Sequence, residues 1–131
     1  MANLLYPKGK EAILSGEITW GGGGDTFKVA LVDTGVYTYS AAHDYHDDLS
    51  GVIATSDALT ALTNTSGQCD AANVNFTSVS GESIEALVIF KETGVSSTSR
   101  LIAYIDTGTG LPFSPNSGEV DITWGAYIFA L

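Results

Sequence analysis

IEALVIFKET (Ile84–Thr93), RLIAYIDT (Arg100–Thr107) and VDITWGAYIFAL (Val120–Leu131) are the stretches that decide the fold. Each is rich in β-branched or aromatic residues and is bounded by Gly, Ser, Thr, Pro or Asn, the residues that turn a chain between strands. Around Leu87 to Phe90 both parities are apolar, the pattern of a strand covered on both faces. A terminus frays unless it is tied down, so Tyr127, Phe129 and Leu131 predict a closing strand docked into a sheet.

Working outward, further strands are expected at Phe27–Asp33, Val52–Thr55, Ala58–Leu62 and Val74–Val79, with a turn at 64–68. Residues 8–15 read as two helical turns with Gly16 as the C-terminal cap. Ile18 to Trp20 read as an extended piece leading into a glycine loop at 21–24. Ser40 caps a second expected helix, strongly acidic on one side and ending at Gly51. About eight strands with irregular connections and one or two short helices predict an all-β, single-domain, jelly-roll-like β-sandwich. Residues 1–16 form its N-terminal arm with the short helix, and 17–131 form the sandwich.

The 131 residues are enough for one independent core. Hydrophobic residues make up 44% and charged residues 15%, a globular composition. Five Lys and Arg against 15 Asp and Glu leave a net charge of −10, which repels phosphate backbones and anionic lipid alike. Neither nucleic acid nor membrane is an expected partner. Cys69 is the single cysteine, so stability must come from packing or assembly. Pro7, Lys8, Gly9 and Lys10 interrupt what a signal peptide would keep apolar, and a cytoplasmic origin is expected. Without a secretory route, the acceptor patterns at Asn64 and Asn75 are chance matches.

Asp-Thr-Gly occurs twice, at Asp33–Gly35 and Asp106–Gly108, each time after an apolar strand. The pattern is that of an aspartic protease, in which two carboxylates share one proton. A two-lobed enzyme of that kind needs far more chain, and Asp and Gly are favoured wherever a strand ends. The protease is therefore a remote alternative. His43, His46 and Asp47 are the weak metal candidates, since helical spacing would set them side by side. They lack the four-residue His spacing with an intervening Glu of zinc-binding helices, and a solvated acidic face is the simpler account. Gly21–Gly24 is followed by Asp25 and a strand where a phosphate loop needs Lys-Ser/Thr and a helix. Tyr37, Tyr39 and Tyr45 could form a sugar-stacking platform, though packing is the simpler role. No Ser/His/Asp constellation or nucleophile elbow is present, so a non-enzymatic role without cofactor or metal is expected.

KEAILSGEITW (10–20), DTFKVALVDTGVYTYSAAHDYHDDLSGVIATS (25–56), ALTNTSGQCDAANVNFTSVSGESIEALVIFKETG (61–94) and SRLIAYIDTGTGLPFSPNSGEVDITW (99–124) together resemble small structural virion proteins of tailed bacteriophages. The resemblance implies a head decoration or cement protein on the outer surface of the capsid. Its implied partner is the major capsid protein, and it would act as a homo-oligomer, dimer or trimer, made in the host cytoplasm. A tail or fibre-associated carbohydrate-binding module is the alternative. Expected contact positions lie in the arm and two loops: Tyr6, Lys8, Lys10, Trp20, Gly22, Leu111 and Phe113.

Overall fold

The computed structural model describes residues 4–22, 24–77, 79–106, 111, 114–115, 118–124 and 127–130. Among them the chain is mainly β, with nine strands and one α-helix. The strands are β1 (Leu4–Leu5), β2 (Phe27–Val32), β3 (Val52–Thr55), β4 (Gln68–Cys69), β5 (Val74–Phe76), β6 (Ala86–Lys91), β7 (Leu101–Ile105), β8 (Val120–Ile122) and β9 (Phe129–Ala130). Helix α1 spans Pro7–Leu14. All pairings are antiparallel, in a five-stranded sheet ordered β1-β7-β6-β2-β3 and two small ladders, β4-β9 and β5-β8.

The continuous apolar runs sit where their pattern demands, in the middle of the sheet. Phe27, Val29, Leu31, Leu87 and Ile89 face a main core completed by Cys69 and Phe129 of the β4-β9 ladder and by Phe76 and Ile122 of the β5-β8 ladder. Ala30, Val32, Val88 and Phe90 face a second cluster with Tyr6, Tyr37 and Tyr104. A bulge in each of β3 and β7 adjusts this alternation. Ile53 is skipped in the β2-β3 register and Ile102 in the β6-β7 register. Two successive residues thereby turn to the main core in each strand, Ile53 with Ala54 and Ile102 with Ala103. Ser56, nearly buried, extends the β3 pairing: its amide donates to the Val29 carbonyl at 2.8 Å, and its Oγ accepts the Val29 amide at 2.9 Å.

Four expectations change. Residues 40–51 form no α-helix; they hold only one turn of 3₁₀ helix at His46–Asp48. Here part of the backbone bonds to a neighbouring segment and not along a helix. The amides of His46 and Asp47 donate to the Ser99 and Ser96 carbonyls, and the Leu101 amide donates to the Asp44 carbonyl. The Asp48 side chain accepts the Asp44 amide at 2.9 Å, the local competition that makes Asp and Ser poor helix formers. Residues 58–62 make no strand, because Ala61 takes a left-handed φ of 54°. The stretch from Val120 splits into β8 and β9, which pair with β5 and β4 respectively. The expected closing strand is thus a short one, and Leu131 lies outside the described residues.

The fourth change concerns the arm, which is part of the sheet. β1 pairs with β7, the Tyr6 amide donates to the Ile102 carbonyl at 2.9 Å, and Tyr6 is fully buried. Pro7 opens α1, where its missing N–H costs nothing, and Gly16 ends it with φ +82°. Gly9 lets α1 lie directly on β7. A Cβ there would stand 2.5 Å from the Leu101 carbonyl oxygen and 3.0 Å from the Ile102 Cα. Gly9→Ala gains about 1 kcal/mol of helix propensity. The overlap involves backbone on both sides, so strain of about 1–3 kcal/mol is expected to win. A lower urea midpoint for Gly9→Ala checks this; a higher one contradicts the packing.

Candidate functional site

The chemistry-bearing side chains that the sequence singles out gather on the second face of the sheet, under the segment 33–50. Tyr6 Oη lies 2.7 Å from Tyr37 Oη, and Tyr37 Oη lies 2.8 Å from His43 Nδ1. One arrangement satisfies every atom: Tyr6 donates to Tyr37, and Tyr37 donates to a neutral imidazole nitrogen. The rings of Tyr39 and Tyr104 close around this line, with Tyr39 5.0 Å from Tyr6 and 5.3 Å from Tyr104 between centroids. Tyrosine hydroxyls and an imidazole in a row suggest a proton relay, but the Tyr6 and Tyr37 side chains are buried, with 0% and 2% exposure. The line works as a strut that pins the 33–50 segment to the sheet.

Burial, then the bond to Tyr37, pushes the Tyr6 hydroxyl far above the ordinary phenol range, and burial pushes Tyr37 up to about 12. Below about pH 10 folded and unfolded chains both keep these protons; above it the unfolded chain releases them first. Stability is therefore expected to fall as pH rises from about 10, and less steeply in Tyr6→Phe. Tyr37→Phe leaves the Tyr6 hydroxyl without its partner in a dry site, at a cost of about 1–3 kcal/mol. Urea unfolding of both variants at neutral and alkaline pH measures the two effects.

The metal candidates do not converge. His43 bonds Tyr37, the His46 ring stands edge-on to Phe90 at 4.6 Å, and Asp47 is exposed. Among the described residues no group of three His, Cys, Asp or Glu side chains is arranged to hold a metal ion. Cys69 is buried in β4, and burial raises its thiol above the ordinary range. Asp33 and Asp106 follow β2 and β7 at the same end of the sheet, with β6 between those strands. Two strand spacings separate their backbones by about 10 Å, where a proton-sharing pair needs about 3 Å. Asp33 instead accepts the Gly35 amide at 2.8 Å, and Glu85 accepts both the amide and hydroxyl of Thr34. This first Asp-Thr-Gly is a strand-ending turn; Thr107 and Gly108 of the second lie outside the described residues.

The tyrosines expected as a platform are divided. Tyr37 and Tyr39 belong to the strut, and Tyr45 lies under the Arg100 guanidinium, 4.5 Å from its ring centre. Of the expected contact positions, Tyr6 and Trp20 serve the interior. Trp20 packs 4.4 Å from Phe27 and 5.2 Å from Phe129, and its Nε1 donates to the Asp70 carbonyl. Leu111 packs partly buried against the core, and Phe113 lies outside the described residues. Lys8, Lys10 and Gly22 are exposed. Lys8 pairs with Glu11 at 3.5 Å along α1.

Beside Lys10 the free edge of β1 opens into a groove of about 460 Å³, lined by Leu4, Leu5, Ile105, Tyr127 and Ile128. Leu4 and Tyr127 remain 37% and 41% exposed there, and among the described residues β7 is the one strand paired with β1, so this edge combines apolar surface, an outer strand edge and the Lys10 charge. Neither models of known protein families nor curated proteins give a match to the chain.

Proposed function

We propose that this chain is a non-enzymatic structural protein of a tailed-bacteriophage particle, a decoration protein that binds the outer surface of the capsid shell and strengthens it. Its architecture in this reading is a jelly-roll-like sandwich, with the five-stranded sheet as one layer and the two small ladders as the other. The resemblance of four long sequence blocks supports the reading, as does the commitment of His43, Tyr6, Tyr37 and Cys69 to internal packing.

The observation that carries the adhesive role is the β1 edge. A protein of net charge −10 places Lys10 in a groove with exposed Leu4 and Tyr127 along the outer edge of β1, with Lys8 exposed on the same helix. A shell subunit with an acidic, extended segment complements it by adding backbone hydrogen bonds and covering the apolar groove. Stable attachment buries on the order of 1,600 Å², so neighbouring surface must join in, and several copies acting together raise the effective concentration. A bound protein that favours the closed shell then stabilises it by mass action.

The test reverses charge without touching the core. Lys8→Glu with Lys10→Glu is expected to keep the far-ultraviolet spectrum and melting behaviour of the parent while losing co-sedimentation with shells of the major capsid protein. Undiminished co-sedimentation would refute the β1 edge as the contact. Imaging of intact particles decides between head and tail.

A further inference from the structure

The 33–50 segment leaves one end of the second sheet face uncovered, and a pocket of about 410 Å³ opens there. Its floor is Phe90 with the edge-on His46 ring; its walls are Lys28 of β2, Thr55 at the end of β3, Glu92 just past β6, and Ser96 of the β6-β7 connection. The register explains the gathering. Lys28 pairs with Phe90 and Ala30 pairs with Thr55, so these side chains rise from the same face of adjacent strands.

Several polar side chains elsewhere are paired, and so is Ser99 in the lining of this pocket. Arg100 holds Glu17 at 2.5 Å, Lys91 holds Asp25 at 3.3 Å, and Thr93, Thr98 and Ser99 share their hydroxyls. At the other polar side chains of the pocket the pairing stops. Among the described residues, the Lys28 ammonium, the Glu92 carboxylate, the His46 nitrogens and the Thr55 and Ser96 hydroxyls have no hydrogen-bond or ion-pair partner. Lys28 and Glu92 are moreover only partly exposed, so two opposite charges stand unpaired in one concavity.

We infer that this pocket binds an acidic sugar unit, a hydroxyl-rich ring bearing one carboxylate. The charges decide the class. The Lys28 ammonium is a compact partner for a single carboxylate. Glu92 opposes a bare anion such as phosphate but accepts hydroxyl protons well, and Thr55, Ser96 and His46 can donate to or accept from the rest of a polyol. Phe90 is 1% exposed, so ring stacking contributes nothing and the recognition is polar. The volume lies within the range of small-ligand sites and exceeds a hexuronate, leaving room for a linked second ring. The inference stands apart from shell binding, since the pocket and the β1 edge share no lining residue.

Titration of the labelled protein with sodium glucuronate, glucose or sodium acetate, followed by amide chemical shifts, tests it. Glucuronate is expected to give saturable shifts in the millimolar range, centred on Lys28, His46, Thr55 and residues 90–99. Glucose and acetate should each bind at least about tenfold more weakly. Lys28→Gln should bring glucuronate down to the level of glucose, and Thr55→Ala, at an exposed position, should weaken both sugars; an unchanged amide spectrum elsewhere shows that each variant folds. Equal shifts from acetate and glucuronate would overturn the inference. So would saturation centred outside the pocket, no saturable shifts with glucuronate, or full binding by Lys28→Gln.

Discussion

Removal of residues 1–10 is expected to abolish cooperative folding. The deletion takes away β1, the edge partner of β7, and the first half of α1. It also takes the whole Tyr6 side chain from the second core and leaves the Tyr37 hydroxyl with His43 as its remaining partner. Loss of a large buried aromatic costs about 3–5 kcal/mol, the lost Tyr6–Tyr37 hydrogen bond adds about 1, and the loss of β1 and half of α1 comes on top. A domain has about 5–15 kcal/mol in total, so the sum consumes most or all of it. Broad, non-sigmoidal urea unfolding and dye binding by the truncated chain are the expected signs. A sharp transition near that of the full chain would show that the segment is dispensable. Binding to shells is therefore better tested by charge reversal on α1 than by deletion.

Phe27→Ala is the second large effect. Phe27 is fully buried, lies against Trp20, and sits where β2 meets both β6 and the carbonyl contact to Leu59. The expected loss is about 3–5 kcal/mol, because the cavity is walled by strands that cannot collapse into it. That corresponds to a Tm lower by on the order of 10 °C or more. Trp20 reports the event directly: its emission should shift to the red in the folded variant as water or motion reaches the indole. A loss below about 1 kcal/mol would mean the site repacks, contrary to the central position of this ring.

The three runs that carry the sheet were legible because their chemistry is local. FKVALV, ALVIFK and LIAYI are apolar on both parities, and they became β2, β6 and β7, covered on both faces. Segment 40–51 misled for a physical reason. Its acidic residues recur at helical spacing, but Asp44 bonds to the start of β7 and His46 and Asp47 to the β6-β7 connection, partners some fifty residues away that no local window contains. Tyr6 misled in the same way. Beside Pro7, Lys8 and Lys10 it reads as surface, yet its ring is enclosed by Tyr39 and Tyr104 and its hydroxyl by Tyr37. The strut and the pocket are assembled from distant parts of the chain: strand register brings Lys28 to Phe90, and the docking of segment 33–50 on the sheet brings Tyr37 to Tyr6.

The pairing of Phe27 with Lys91 carries a consequence for how the molecule comes into being. β2 is synthesised early, yet its inner neighbour β6 and then β7 emerge only in the last third of the chain. Closing so long a loop before any reward makes the search slow, and an all-strand topology of this kind folds in milliseconds to seconds. Until the ribosome has passed Lys91, FKVALV has only β3 to pair with, and its other edge stays open to its twin on a neighbouring nascent chain. Yield during rapid expression should therefore depend on temperature and chaperone supply more than on the equilibrium strength of the finished fold.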